Sequence, residues 1–226
     1  MTRADESLRQ LAIRQDVESA SPFELRRLWQ ELRSGGWQFR DTFSTDERYV
    51  ALLKASAVAP PVALHERKVA VLESVLLGTA PKVVAFDCQR SLSSITAAAQ
   101  DCLRSMGLST RASQTTVLLT MAVRAQHHPE SAPQLGRLSE LHLDGEDYFV
   151  VSALRLDLQF PVPLSLAEAE VVRSLINGHT HAQISGARAT SPRTVANQLA
   201  TAFRKLGVSG RRATIERLIL HQAQVG

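Results

Sequence analysis

The stretch SPRTVANQLATAFRKLG, residues 191–207, decides how this chain is organised. Ser191 can cap a helix, Pro192 suits the first helical position and Gly207 suits the residue that ends one. Apolar side chains recur between them at helical spacing: Val195, Leu199, Phe203 and Leu206. The stretch predicts a helix over 191–206 with one buried side. The opposite side then carries Arg193, Thr194, Asn197, Gln198 and Thr201.

Shorter helices are predicted on both sides of this one, at about 165–177, 180–187 and 211–223. Ser165 and Glu168 form a capping box for the first of them, and Gly178 ends it. Only a tight turn separates 180–187 from 191–206. Two helices joined in this way can place the second in the major groove of DNA.

Residues 164–208 resemble the C-terminal helix-turn-helix domain of the LuxR/NarL/GerE family of transcription regulators. The family's motif residues stand at the family's spacing: Leu164-Ser165, Glu168, Glu170-Val171-Val172, Gly178, Ile184, Ser191-Pro192-Arg193-Thr194-Val195, Asn197 and Arg204-Lys205-Leu206-Gly207-Val208. The resemblance implies a sequence-specific, double-stranded DNA-binding regulator in which 191–206 is the recognition helix. It also implies that the fourth helix, 211–223, mediates pairing.

The candidate DNA contacts lie on the recognition helix and the turn before it. Asn and Gln suit adenine, Arg suits guanine or phosphate, and the free N–H groups of a helix start suit phosphate. The predicted set is Thr180, His181, Gln183, Arg188, Ser191, Arg193, Thr194, Asn197, Gln198, Thr201, Arg204 and Lys205.

Three departures from the family pattern affect specificity. The family often has a basic residue at the position of Ala196 and a Lys at the position of Ala182. Its turn is usually Leu-Gly-x-Ser, whereas this chain has Arg188-Ala189-Thr190-Ser191. The DNA sequence that relatives recognise therefore does not transfer to this chain.

The first half of the chain repeats the second when the sequence is shifted by 100 residues, with no gap over roughly 90 positions. A period of this length indicates an internal duplication and not a solenoid. The matches are Gly36, Val50, Pro61-Val62, Leu64, Ser74, Gly78, Ser91, Arg104, Gly107, Ser109 and Arg111 with Gly136, Val150, Pro161-Val162, Leu164, Ser174, Gly178, Ser191, Arg204, Gly207, Ser209 and Arg211.

The first copy keeps the apolar skeleton but changes the recognition surface to Thr96, Ala97, Gln100 and Asp101. An acidic residue facing phosphate is unfavourable. We therefore interpret it as a degenerate copy that supports pairing or a partner contact, with a second, weaker DNA contact as the alternative.

The predicted fold is mainly α, with two tandem four-helix LuxR-type modules, each preceded by a small β-hairpin. The boundaries are 1–20 for an N-terminal helix or tail, 21–126 for the first module, 127–133 for a linker and 134–226 for the second module.

Two local patterns and one contact are also predicted. We interpret Ser21-Pro22-Phe23-Glu24 as a capped helix start and Asp144-Gly145 as the turn of the second hairpin. We expect the fourth helices to pack as an internal pseudo-dimer through Val117, Leu118, Ala122, Ile215, Leu218 and Ile219.

Positive charge concentrates in the two copies. Residues 163–226 sum to 8 − 3 = +5 and residues 63–126 to 7 − 4 = +3, whereas residues 1–62 balance at 9 − 9 = 0 and residues 127–162 sum to 2 − 6 = −4. This distribution suits a polyanionic partner.

Other classes of protein are weakly supported. No long apolar run or signal peptide is visible, so we expect a cytoplasmic protein with no membrane contact. The histidines lack metal-ligand spacing, and the sequence has no phosphate loop or nucleophile elbow. We therefore expect no cofactor and no enzymatic activity. The segment Lys82–Asp87 could pass for a receiver strand, but the repeat places it on a helix. An autoinducer-binding domain would not fit in residues 1–62.

The remaining alternative is an interaction protein, in which the helical units bind a sigma factor, RNA polymerase or another regulator and no longer bind DNA. Substituting Arg193 and Asn197 separates the two hypotheses. Homodimerisation of the whole chain is left open by the sequence.

Overall fold

A computed structural model describes residues 3–56, 63–108, 113–131, 135–156 and 159–225. The repeat matches at Pro61-Val62, Ser109 and Arg111 lie outside the described residues, as does part of the predicted linker. Among the described residues the helices are α1 Arg3–Glu18, α2 Leu25–Ser34, α3 Glu66–Leu76, α4 Pro81–Asp87, α5 Leu92–Ser105, α6 Ser113–His127, α7 Leu166–Ile176, α8 His181–Ala187, α9 Pro192–Leu206 and α10 Arg211–Val225. The strands are β1 Ser21–Glu24, β2 Trp37–Ser44, β3 Arg48–Ala55, β4 Leu135–Leu143 and β5 Glu146–Leu154.

The two hairpins do not remain separate, one to each module, as the sequence had predicted. They join into one antiparallel sheet with the strand order β1-β4-β5-β3-β2. The inner edges of the hairpins, β3 and β5, pair with each other along most of their length, and Ala51 lies opposite Val151. A lone two-stranded hairpin is marginally stable, so joining two of them stabilises both.

Both faces of this sheet are buried, which explains the long apolar runs in β3 and β5. Successive side chains of a strand point to opposite faces. Tyr49, Ala51 and Leu53 pack into the main core with the helices, whereas Val50 and Leu52 pack into a smaller cluster under α1. The N-terminal residues that we had interpreted as a helix or tail therefore close a second core.

A polar network also fastens α1 to the sheet. Asp16, only 6% exposed in its side chain, accepts a hydrogen bond from the Ser152 hydroxyl at 2.5 Å. Arg48 Nε donates to the same hydroxyl at 2.7 Å and lies 3.5 Å from the Asp16 carboxylate. The pKa of Arg48 is lowered by burial, an effect that Asp16 opposes. The network ties α1, the first hairpin and the second hairpin together.

The predicted helix start at Ser21-Pro22-Phe23-Glu24 is wrong. These residues form the edge strand β1, paired with Leu135–Leu138, and α2 begins at Leu25 after Glu24, whose side chain makes no capping hydrogen bond. Proline is tolerated on an edge strand because the missing N–H is not needed there. The capping-box pattern is present, but the segment pairs instead with β4, more than a hundred residues away in the chain.

Three of the four helices that follow each hairpin begin 100 residues apart, at 66, 81 and 92 in the first half and at 166, 181 and 192 in the second. The fourth begins at 113 and at 211, a difference of 98. Gln89 and Ala189 both adopt a left-handed backbone, with φ of 52° and 48°. The segment Lys82–Asp87 is helical, as the repeat predicted, and is not a receiver strand.

The 100-residue shift does not extend to the outer strands. Ser152 pairs with Arg137, whereas Leu52 pairs with Asp41 instead of residue 37. The first hairpin has the longer connection, between Ser44 and Tyr49, while the second turns tightly at Asp144 and Gly145, both with positive φ. The alignment of Gly36 with Gly136 therefore has no structural counterpart.

Helix α6 lies at the centre of the molecule and is buried on every side. Its residues 117–125 are all buried, as is typical of a core helix. It packs against α2, α3, α7, α10 and the strands β2 and β3. The residues predicted to pair the fourth helices, Val117, Leu118, Ala122, Ile215, Leu218 and Ile219, all lie in one core cluster, and Arg124 of α6 forms an ion pair of 2.9 Å with Glu216 of α10.

Candidate nucleic-acid interface

Helix α9 is held at its C-terminal end by α7, the helix that precedes the helix-turn-helix. Ser165 caps α7 through the predicted capping box, and Glu168 accepts the Ser165 N–H at 2.7 Å. The same carboxylate oxygen accepts a hydrogen bond of 2.7 Å from Lys205, near the end of α9. Bonds from Lys205 and Ser165 lower the pKa of Glu168. One carboxylate thus fixes the start of α7 against the end of the recognition helix.

The short helix α8 is positioned by its own capping box. The Thr180 hydroxyl accepts the Gln183 N–H at 3.3 Å, and the Gln183 side-chain oxygen accepts the Thr180 N–H at 2.8 Å. Ile184 is buried against the core. The turn to α9 then passes through Ala189 in its left-handed conformation, at the position where the family usually has glycine.

The start of α9 is capped and free of acidic residues. The Ser191 hydroxyl accepts the Thr194 N–H at 3.0 Å, and Pro192 occupies the first turn. Uncapped N–H groups and the helix dipole give such a helix start a partial positive charge. The arrangement suits a phosphate group.

The two sides of α9 separate sharply by burial. Val195, Leu199, Ala202 and Leu206 are buried, and Gly207 ends the helix with φ of 68°. At 100° per residue, the stripe opposite the buried side consists of Arg193, Asn197, Ala200 and Arg204, all exposed. We call these four residues the recognition stripe. Within the part of the chain that the structure describes, neither Arg193 nor Arg204 forms an ion pair.

Several of the predicted contact residues are committed to the domain itself. Arg188 has a side chain only 22% exposed and forms an ion pair with Glu170, and Lys205 is held by Glu168. The Gln198 side-chain oxygen is buried without a hydrogen-bond partner. Thr180, His181, Gln183, Ser191, Arg193, Thr194, Asn197 and Arg204 are exposed, and Thr201 is half-buried. These eight predicted residues are therefore exposed, whereas the side chains of Arg188 and Lys205 are bonded to α7.

The corresponding region of the first half carries an exposed apolar patch. Phe86, 83% exposed, stands where the second half has Gly186, and the exposed Val83 and Leu92 correspond to Gln183 and Pro192. Asp101 is paired with Lys68 at 3.0 Å and with Arg104, and hydrogen bonds from both lower its pKa. The acidic residue was predicted from the sequence but the apolar patch was not, although positions 83, 86 and 92 differ visibly from their counterparts 183, 186 and 192.

Among the described residues, no group of three or more His, Cys, Asp or Glu side chains is arranged to hold a metal ion. No described helix combines the length and the apolar composition that a membrane crossing needs.

No curated protein and no solved structure matches the chain. One family model matches, that of the bacterial regulatory proteins of the luxR family (GerE), over residues 162–218. The match covers about a quarter of the chain and contains α7, α8, α9 and part of α10. Residues 162–218 are therefore a helix-turn-helix domain of the luxR family.

Proposed function

We propose that this protein is a sequence-specific double-stranded DNA-binding transcription regulator in which α9 lies in the major groove. The observation that carries the proposal is the recognition stripe, an exposed row that contains two arginines and an asparagine. It lies on α9, the helix that follows the turn within the residues matched by the luxR family model. DNA-binding modules of this kind place the second helix in the groove.

The spacing of the two arginines fits the groove. Arg193 and Arg204 are eleven residues apart on one stripe, which corresponds to about 16 Å along a helix axis. The major groove is about 12 Å wide, so both side chains can reach backbone phosphates at its walls. Arg193 lies beside the capped start of α9. The N–H groups of that helix start are additional donors for the same phosphate.

The middle of the stripe is suited to base edges. Asn197 can bind the N6 and N7 groups of adenine in a bidentate manner, and the Ala200 methyl can contact the methyl group of thymine. Thr194 and Thr201 flank these two residues and supply hydroxyl groups. We therefore assign sequence recognition to Asn197 and Ala200, and affinity to Arg193 and Arg204.

We further propose that the chain arose by internal duplication and that the two halves form an internal pseudo-dimer. The matching helix starts support this, and so does the position of Ala51 opposite Val151, its own counterpart under the 100-residue shift. An antiparallel pair that matches a residue with its own copy has a local twofold axis between the strands. In the first half Ser93 and Ala97 stand where the second half has Arg193 and Asn197, and Arg104 is paired with Asp101. We therefore propose one DNA-reading module and one supporting module. No enzymatic activity and no cofactor are part of this proposal.

The test is fluorescence anisotropy of the full chain on random duplex DNA over a salt series, followed by selection of a preferred sequence. We expect binding that weakens steeply with salt. Arg193→Ala should weaken binding to all sequences and reduce the salt slope by about one. Asn197→Ala should weaken binding chiefly to the selected sequence, by about 1 to 3 kcal/mol.

Arg14→Ala is the matched control, because Arg14 is an exposed arginine on α1, away from the helix-turn-helix. It removes the same charge and should change neither affinity nor slope beyond the small effect of net charge. Equal losses from Arg14→Ala and Arg193→Ala would refute the assignment of the stripe. Absence of duplex binding at low salt would refute DNA binding and favour the alternative in which the helical units bind protein partners.

A further inference from the structure

A cavity of about 210 Å³ lies where the two halves meet. Its wall from the first half comes from α3, α5 and α6, and Arg212 and Ile215 of α10 complete it from the second half. Apolar residues form most of the lining, among them Leu72, Val75, Ile95 and Leu119.

The cavity follows from a difference between the two halves. Residue 99 of α5 is alanine, whereas its counterpart on α9 is Leu199, which is 2% exposed and fills its own core. Leu103 likewise stands where the second half has the larger Phe203. The first half has thus kept the helix positions but not the side-chain volume of a full helix-turn-helix core.

Arg212 is the one charged residue among the described residues that line this space. Burial lowers the pKa of its guanidinium, and Arg212 forms no ion pair with any residue that the structure describes. The polar neighbours Thr96 and Thr120 already donate to backbone carbonyls of their own helices, those of Leu92 and Thr116. Arg212 is exposed overall, so its guanidinium can be reached from solvent, and an incoming carboxylate would form a charge-assisted hydrogen bond with it.

We propose that this cavity binds a small amphipathic carboxylate, with its apolar part between α3, α5 and α6 and its carboxylate on Arg212. A cavity of 150 Å³ lined by apolar residues holds benzene, so a space of 210 Å³ accepts about eight non-hydrogen atoms. The class of ligand is therefore a short aliphatic or aromatic acid.

The cavity is also placed to influence α9. Helix α10, which supplies Arg212 and Ile215, packs against α7 and α9. A ligand in the cavity would therefore contact the helix that supports the recognition helix. This effector role rests on the proposed DNA binding, whereas the binding site itself does not.

The probe is hexanoate, and its binding to the full chain without DNA is measured by ligand-observed NMR. The isosteric but uncharged hexanamide is measured in the same way as a comparison. We expect saturable binding of hexanoate and binding of hexanamide at least ten-fold more weakly, since a hydrogen bond between charged groups is lost. In Arg212→Gln the two probes should bind equally. No saturable binding of hexanoate to the wild-type chain would overturn the site.

Ala99→Leu is the matched variant, because leucine occupies the equivalent position in α9. It should fill the cavity, leave the melting temperature equal or higher, and abolish binding of both probes. Unchanged hexanoate affinity in a folded Ala99→Leu protein would overturn the placement.

Repeating the DNA anisotropy measurement in the presence of hexanoate tests the effector role. A DNA Kd that changes in the wild type but not in Ala99→Leu supports this role. An unaltered Kd in the wild type overturns the effector role alone.

Discussion

Ala189 shows how a single residue in the turn limits the stability of the helix-turn-helix. Its φ of 48° lies in the left-handed region, which costs a residue with a Cβ atom about 1 to 2 kcal/mol. Glycine avoids this cost but gains freedom in the unfolded chain, which offsets part of the benefit. The structure therefore identifies a position at which the sequence departs from the preferred residue.

We predict that Ala189→Gly raises the free energy of unfolding by about 0.5 to 1 kcal/mol, measured by urea denaturation. Ala200→Gly is the control, because Ala200 is also exposed but lies within α9. It should lower the stability by about 1 kcal/mol. If both substitutions destabilise the protein equally, the strain assigned to Ala189 is absent.

At this scale the sequence predicted the exposed residues well but not their partners. The periodicity of α9 placed Arg193 and Asn197 on the exposed side, because helical spacing depends only on near neighbours in the chain. The ion pairs of Arg188 with Glu170 and of Lys205 with Glu168 join different elements. Spacing along one helix carries no information about such contacts.

At the scale of elements, the clamp between α7 and α9 makes the orientation of the recognition helix depend on pH. The pKa of Glu168 in the folded protein lies below its ordinary value, chiefly because of the bond from Lys205. A lowered folded pKa contributes stability above the unfolded pKa, and this contribution is lost as the pH falls through the folded pKa. Acid should therefore loosen α9 from α7.

We predict that Glu168→Gln is less stable than the wild type at pH 7, and that the difference disappears when the pH falls well below 4.5. Thermal unfolding followed by circular dichroism at several pH values measures this. Glu66→Gln, at an exposed first-turn position of α3, is the control and should change stability less. A difference that persists unchanged at pH 3 would show that the ionised carboxylate is not what holds the two helices together.

The helices were the more predictable elements, since their caps and apolar stripes are local. All four helices of the second half lie close to their predicted bounds, and the Asp144-Gly145 turn is confirmed. The segment Ser21–Glu24 was mispredicted because its partner strand, β4, lies far away in the chain. Joining of the hairpins was missed for the same reason.

At the scale of the whole molecule, the halves are parts of one sheet and one core. The pairing of β3 with β5 and the central position of α6 mean that neither half can unfold without exposing apolar surface of the other. Gly136 of the second half shows how close the approach is: a Cβ atom there would lie 2.8 Å from Cδ2 of Leu25 in the first half. Two modules joined only by the linker 127–133 would have no such contact.

The network of Asp16, Arg48 and Ser152 gives this coupling a measurable test, because it joins α1 to both hairpins at a buried position. Asp16→Asn keeps the size of the side chain but leaves the Arg48 charge, 12% exposed, without its counter-charge. Breaking one side of a buried ion pair costs about 3 to 5 kcal/mol, and we predict a loss of that order in the free energy of unfolding.

Glu18→Gln on the same helix removes an exposed pair with Arg14 and should cost about 0 to 1 kcal/mol. Calorimetry of Asp16→Asn should show a single transition at a lower temperature, because the lost ion pair destabilises both halves together. A transition that splits, with the helix-turn-helix melting at its wild-type temperature, would show instead that the second half is stable without the shared sheet.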